Sequence, residues 1–595
     1  MENSTDHIRR MKKLVIHSTC LAFVLSVTQL FALEIAEAQF VRNNIEYNMR
    51  SYSLDEDSVD LDTPYFQVQR FGWLNVSLID DEYGGFYYPD TSSYNEPGKY
   101  GLYSDMAHYG DFNGDGLDDF AMQWVVFPHT LERESVIPID LFINDGNNGY
   151  ELFTDYTNDQ HLNHMPYRMR VGKFNDDEFD DAVTGSMGVI TRLPDGSYKD
   201  KSEPFQVLVS NGDGTYRDAT YEVDGQEDST KVSTFGFAHD IALGDVNGDG
   251  YDDVYQGMHL FFSDGDGSFT NMTESLPEQF SYKGYRGYIM SSEIADLNND
   301  GFGDIIAMYS DCRDCGDTPS GYVLMSQNNS GSLENRSIQE LPVGRFGKEN
   351  TKFNYTVAYD VNLDGWLDVV SGITRETPYY VGSHLQIFVN QQGEGFLDQT
   401  EQFVSFPEEA ETMHGEGVMY VLDINDDGID DILHALSEVG FRAYVHDGNK
   451  LQIVDHTWFP HVYNYHLKEY PWDKKPAQLN PQFHTKAFPV NINGKGPVDY
   501  VSSVHTAEEV PGRAYKYNDN YYTFYSVIAK KPLRVRAPEE PMTLVDGAVK
   551  DTVLLGNYFR LSWQSLEIVD AVTIQWSTDP LFESSVDSAV VMDTS

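Results

Sequence analysis

Short apolar runs punctuated by acidic turns dominate the chain. Phe237 to Leu243 and Gly417 to Leu422 are apolar runs that lead into stretches rich in Asp, Asn and Gly. β-rich runs such as Asp304 to Met308 and Asp368 to Val370 lead out of such stretches. Strand, polar turn and strand is the pattern of a β-hairpin. A second hairpin pattern follows further along. IDLFINDGNNGYELF, FQVLVSNGDGTYRD, LFFSDGDGSFTN and LQIFVNQQGEGFLD each place an apolar strand before a turn of Asn, Asp, Ser or Gly. Two hairpins in succession predict units of four short strands.

The first turn repeats almost letter for letter. DFNGDGLDD begins at Asp111, DVNGDGYDD at Asp245, DLNNDGFGD at Asp296, DVNLDGWLD at Asp360 and DINDDGIDD at Asp423, five copies of D-x-N-x-D-G-x-x-D. KFNDDEFDD from Lys173 and NINGKGPVD from Asn491 are weaker copies in register. The seven starts lie 51 to 72 residues apart, about 63 on average, room for four strands apiece. Four-stranded units repeated radially make a β-propeller, and seven falls within the usual range. The fold class expected is therefore all-β, a seven-bladed β-propeller, with eight blades as the alternative. Tyr65 to Ile79 precedes the first motif and is strand-like in composition. It would complete the last blade and latch the ring, or else belong to an extra blade. Radial closure leaves few sheet edges exposed.

Residues 1–38 have the layout of an export signal: Arg9, Arg10, Lys12 and Lys13, an apolar run from about Leu14 to Leu33, then Ala36-Glu37-Ala38 before Gln39. Removal after Ala38 is expected ahead of an uncleaved anchor. Residues 39–64 then form an N-terminal segment, 65–536 the propeller, and 537–595 a linker with a further segment. In the last, FRLSWQSLEIVDAVTIQWSTDPLF resembles the first half of a fibronectin type III sandwich. Nothing after the signal approaches the roughly 18 apolar residues of a membrane span, so a secreted, periplasmic or cell-surface protein is expected. Cys312 and Cys315 are the cysteines left after signal removal. In an exported chain a disulfide between them is expected ahead of a metal or redox site.

Charge narrows the partners. With 95 Asp+Glu against 40 Lys+Arg the net charge is −55, which excludes a phosphate-coating surface, and no nucleic-acid partner is expected. Apolar residues at 40% and aromatic residues at 13% supply a core, so disorder is not the default.

The repeated turn has the chemistry of a cation site. Oxygens at positions 1, 3 and 5, glycine at 6 for the sharp turn, a backbone carbonyl at 7 and a carboxylate at 9 suit a hard cation, calcium above all. The expected side-chain ligands are Asp111, Asn113, Asp115 and Asp119; Asp245, Asn247, Asp249 and Asp253; Asp296, Asn298, Asp300 and Asp304; Asp360, Asn362, Asp364 and Asp368; and Asp423, Asn425, Asp427 and Asp431. The carbonyls of Leu117, Tyr251, Phe302, Trp366 and Ile429 complete about five structural Ca2+ sites. An EF-hand would need Glu at position 12, where Met122, Gln256, Ala307, Ser371 and His434 stand. The alternative is a set of Asp/Asn/Gly turns without an ion, since these residues favour turns anyway. Lys173 and Lys495 displace a ligand in the two weak copies, which are expected to bind little.

These motifs resemble the FG-GAP/VCBS repeat family, which includes the integrin alpha-subunit propellers, over roughly Tyr65 to Arg536. The resemblance implies structural calcium in hairpins on one face. It implies ligands on the other, bound by loops between blades and between hairpins. Long connections suited to that face are Tyr156 to Met169, Ser310 to Pro319 and His456 to His484. The last holds Trp458, His461, Tyr463, His466 and Trp472, residues that suit sugar stacking or a further metal but equally suit packing between blades. His108 and His239 are expected in the core or between blades. Two functions remain: a binding or adhesion module for an extracellular glycan or protein, and an extracellular carbohydrate-active enzyme, polysaccharide lyase or hydrolase. No catalytic motif is present and no catalytic residue is assigned, so binding is expected ahead of catalysis.

Overall fold

The computed structural model describes residues 36–42, 45–51, 66–78, 99–101, 107–123, 125–127, 139–153, 166–186, 189–192, 198–201, 204–226, 239–281, 288–310, 321–327, 330–378, 380–413, 415, 417–436, 440–454, 485–494, 498–509, 517–529, 571–577 and 586–592. Among these residues almost every element is a strand, and the strands make a seven-bladed propeller. Blades one to six occupy 107–153, 166–218, 241–271, 288–341, 351–398 and 417–454, each a four-stranded antiparallel sheet in chain order. Blade seven combines both ends of the propeller chain. Thr485–Val490, Asp499–Glu509 and Tyr517–Ala529 come from the C-terminal side, and Phe66–Leu78 pairs antiparallel to the last of them from Phe66 opposite Ala529 to Val76 opposite Asn520.

The strand expected to latch the ring therefore does so. Beyond it, Ile45–Ser51 and Ala36–Arg42 extend the same sheet to six strands. A cut after Ala38 would leave Gln39 to Arg42 paired with Ile45 to Asn48. Of the segment likened to a fibronectin sandwich, the described residues form one hairpin, Ala571–Ser577 with Val586–Met592.

Each blade is covered on both faces by its neighbours, which explains why its middle strands are apolar runs instead of alternating ones. The second strands Asp119–Gln123, Asp253–Gln256 and Asp431–Leu436 are buried throughout. Core clusters lie between blades, as where Phe174, Val183, Phe205 and Val207 of blade two meet Ile241, Val254, Phe261 and Phe269 of blade three. Aromatic rings seal blade one to blade seven. Phe120 stacks on Phe142 at 4.6 Å and meets Phe488 at 5.1 Å, and Phe71 of the latch strand stacks on Phe524 at 5.7 Å.

The first strands of blades one to five adjoin around the ring. Three of them carry an extra residue against their partner, between Pro166 and Met169, Ile289 and Ser291, and Phe353 and Tyr355. Such bulges re-aim backbone and side chains. Here Arg168, at φ 62° in the first bulge, donates to the carbonyls of Met290 and Asn354, in the other two. Asp240 of blade three receives Arg168 at 2.8 Å and Arg170 at 3.1 Å, and both guanidinium groups lie within 5 Å of the Tyr355 ring centre, at 4.7 and 4.9 Å. Four blades are thus tied by one buried polar cluster. His239 is buried beside it, edge-on to Tyr167 across the seam between blades two and three, as expected from sequence; His108 is half-buried.

Candidate functional site

Each repeated motif is the turn between the first and second strands of a blade. Glycine at position 6 has φ between 80° and 96° in all five full copies (Gly116, Gly250, Gly301, Gly365 and Gly428), and nothing would obstruct a side chain there. The left-handed backbone alone, with φ beyond the range of the left-handed residues at position 4 that are not glycine, is what favours glycine. Position 4 is left-handed too, in Gly114, Gly248, Asn299, Leu363 and Asp426.

The turn is held by its own side chains. The carboxylate at position 1 accepts the amide of position 6 at 2.7–2.9 Å, and also that of position 5. The carboxylate at position 5 accepts the amide of position 7 at 2.9–3.1 Å. Asn113, Asn247, Asn298 and Asn362 accept the amide of position 5 through Oδ1. These are the local side-chain to backbone bonds by which Asp and Asn favour turns.

Position 9 has a role that the sequence reading did not assign. In all seven blades its carboxylate is fully buried: Asp119, Asp181, Asp253, Asp304, Asp368, Asp431 and Asp499. One oxygen accepts the amide of position 2, at 2.8–3.2 Å. The other accepts an amide at the end of the third strand, from Asn144, Ser210, Ser263, Ser326, Asn390, His446 or Ala529, at 2.6–3.0 Å. Each blade is therefore stapled internally by one carboxylate bridging its first turn to its third strand.

The same turns make the seams between blades. The carbonyl of position 2 accepts a bond from the next blade around the ring: Phe112 from the Tyr216 hydroxyl, Phe174 from Ser263, Val246 from Arg336, Leu297 from Asn390, Val361 from His446, and Ile492 from Asn144. Carboxylates at position 8 reach back to the preceding motif, where Asp118, Asp180 and Asp252 accept the amides of Asn491, Asp111 and Lys173. Position 7 rings lie against position 4 of the preceding blade. Phe302 leaves no room for a side chain on Gly248, whose added Cβ would meet the ring at 2.4 Å.

Among the described residues no three His, Cys, Asp or Glu side chains converge so as to hold a metal ion; the turn carboxylates are folded onto amides instead. The donor set nonetheless fits a hard cation. The oxygens are those of carboxylates and amides, and Asn425 Oδ1 at position 3 of the blade-six turn is buried without a partner. Burial pushes the position 9 carboxyls up, to about 8 in Asp119, Asp253 and Asp431 and about 7 in Asp368, against the pull of the two amides. Repulsion from the carboxylates at positions 1 and 5 adds to the rise. A cation in the turn would relieve that crowding.

The other expected site residues, Cys312, Cys315, Trp458, His461, Tyr463, His466 and Trp472, lie outside the described residues. The axial cluster was not foreseen. Beside it Glu293 is pushed up to about 7 by burial, with Arg170 opposing the shift.

No protein-family model matches the chain. Integrin alpha-3 of Cricetulus griseus is 32% identical over 117 residues, 18% of this chain and 10% of that protein. Integrin alpha-6 of Gallus gallus is 34% identical over 110 residues, 17% of this chain and 9% of that protein. The chain thus spans about a tenth of the length of the curated relatives it matches. Among solved structures, exotype rhamnogalacturonan lyase YesX covers 82% of this chain and 90% of its own at 10% identity and a TM-score of 0.35. The rhamnogalacturonan lyase of Bacillus licheniformis covers 82% and 98% at 12% identity and a TM-score of 0.27. Scores of that size carry no argument about activity.

Proposed function

We propose that the chain is an exported, calcium-stabilised β-propeller that serves as a ligand-binding or adhesion scaffold for an extracellular glycan or protein. The observation that carries the reading is the repeated turn, which brings oxygen donors at positions 1, 3 and 5 around left-handed residues at 4 and 6. Its function in this reading is structural: calcium neutralises the turn carboxylates on one face and leaves the opposite face for the ligand. The local likeness to integrin alpha chains supports the repeat and the adhesion reading. The supporting experiment measures bound calcium and the thermal midpoint with and without chelator, then applies the calcium-loaded protein to glycan arrays. About five ions, a large fall on chelation and specific array binding are expected. No bound calcium and no shift would defeat it.

A second reading, an extracellular carbohydrate-active enzyme, is favoured by one observation. Arg168, Arg170, Asp240, Tyr355 and Glu293 gather where four blades meet, and Glu293 with its carboxyl near 7 suits general acid or base work. A polysaccharide screen for new reducing ends or unsaturated uronates tests it. Turnover abolished in Glu293→Gln, with calcium content unchanged, would establish this reading over the first.

A further inference from the structure

Blade two departs from the other turns at two positions. Lys173 stands at position 1 where the full copies have Asp, and Glu178 stands at position 6 where they have Gly. No residue of this turn is left-handed. The Lys173 ammonium curls back over the turn. It donates to the carbonyl of Phe179 at 3.3 Å and of Glu178 at 3.4 Å, and pairs with Asp180 at 3.2 Å. Phe179 is position 7, the carbonyl assigned to the cation in the full copies.

The rest of the turn keeps the shared pattern. Asp177 accepts the amide of Phe179, Asn175 accepts that of Asp177, and Asp181 makes the same two-amide staple as its counterparts. The Lys173 backbone is also fixed: its amide donates to Asp252 and its carbonyl accepts the Asp252 amide, both at 2.9 Å. A tethered positive charge therefore sits among the position 7 carbonyl and a carboxylate, held from a fixed backbone.

We propose that the Lys173 ammonium is a built-in cation for the blade-two turn, so that this blade stays closed when calcium is withdrawn and the other turns loosen. The comparison with calcium rests on the proposed function; the role of Lys173 in its own turn does not. A lysine places one charge at the tip of a flexible chain and needs no free ion, whereas a divalent ion leaves on chelation. Blade two also carries Arg168 and Arg170, which bind blades three to five at the axis. The cation-independent blade is thus the one that holds its neighbours in register.

The test is amide hydrogen exchange read by mass spectrometry over residues 174–181 and the five full turns, in calcium and in chelator, with the metal count measured beside it. In the unmodified chain, chelation should accelerate exchange in the five full turns and leave 174–181 unchanged. Lys173→Met should accelerate exchange in 174–181 roughly three- to tenfold in both buffers, the low end reflecting the half-exposed side chain, with the metal count unaltered. Lys173→Asp with Glu178→Gly should add one bound calcium and make 174–181 sensitive to chelator. The proposal is overturned if 174–181 loosens on chelation as the full turns do, or if Lys173→Met leaves it unchanged. If Lys173→Met loosens it but no full turn answers to chelator, Lys173 keeps its role and the calcium reading alone fails.

Discussion

Asp368→Asn separates the two jobs that position 9 could have. Asp368 is fully buried, accepting Val361 N at 2.9 Å on one oxygen and Asn390 N at 2.8 Å on the other. Burial raises its carboxyl to about 7, so at pH 6 without cation it is mostly neutral and replacement by Asn changes little charge. What changes is the second acceptor: the Asn amide group can take one backbone N–H and must turn its own NH2 toward the other. A buried donor left unpaired costs about 1–3 kcal/mol. That corresponds to amide exchange at 361 or 390 roughly five- to 150-fold faster, measured by hydrogen exchange in chelator at pH 6, with a lower urea midpoint. Asp364→Asn, at position 5 of the same exposed turn, is the control. It should change the cation-free protein by less than about 0.5 kcal/mol and lose stability chiefly in calcium. Were Asp368→Asn silent in chelator and harmful only in calcium, position 9 would be an ion ligand and the staple would carry no weight.

Stability should also depend on pH in a definite direction. Folded-state values of about 7 to 8 in the seven staple carboxyls lie above the usual carboxylate range, so the folded protein holds these protons more tightly than the unfolded chain. Their contribution is full below about pH 4 and is lost as pH rises through 7 to 8. Thermal midpoints in chelator should therefore fall from pH 5 to pH 8, and added calcium should help most at pH 8; a flat profile in chelator would contradict this. Leu363 is held at φ 58° and is 46% exposed, so Leu363→Asn, the residue of the blade-four turn, should raise stability by roughly 0.5–1 kcal/mol in urea melts. Asn390→Ala removes donors to Leu297 O at 2.7 Å and Leu367 O at 3.0 Å. It should cost about 2–3 kcal/mol and speed exchange along the seam between blades four and five.

The ring was legible because its signals are local. Gly116 and its four counterparts mark a left-handed turn that few other residues tolerate, and the spacing of the turns counts the blades. The latch was legible for a related reason: Tyr65 to Ile79 is strand-like in composition and stands ahead of the first motif, whereas its pairing with Ile45–Ser51 on the other edge carries no such local signal. The seams were not read, because one structural task is done by Tyr216, Ser263, Arg336, Asn390, His446 and Asn144, six positions with no common letter. A signal existed: Asn144, Ser263, Asn390 and His446 all end a third strand, a polar ending that turn chemistry alone also explains. Nor could Arg168, Arg170 and Asp240 be joined from sequence, since residues from four blades meet at the axis only after closure.

The two weak copies show how the motif divides. Lys173 replaces position 1 in one and Lys495 replaces position 5 in the other, yet Asp181 and Asp499 at position 9 are as buried as any and make the same pair of amide bonds. Had position 9 mattered only as a cation ligand, nothing physical would hold it in turns whose ligand set is broken by a lysine. Its persistence follows from the staple, because losing that carboxylate would leave two buried N–H groups unpaired in every blade. The nonapeptide is thus two overlapping signals. Positions 1, 3, 5 and 6 shape a turn, which in the proposed function is also the place for a cation, while position 9, with the amide and carbonyl of position 2, closes the blade and joins it to the next. Only the first set can be exchanged, as in blade two, without opening the ring.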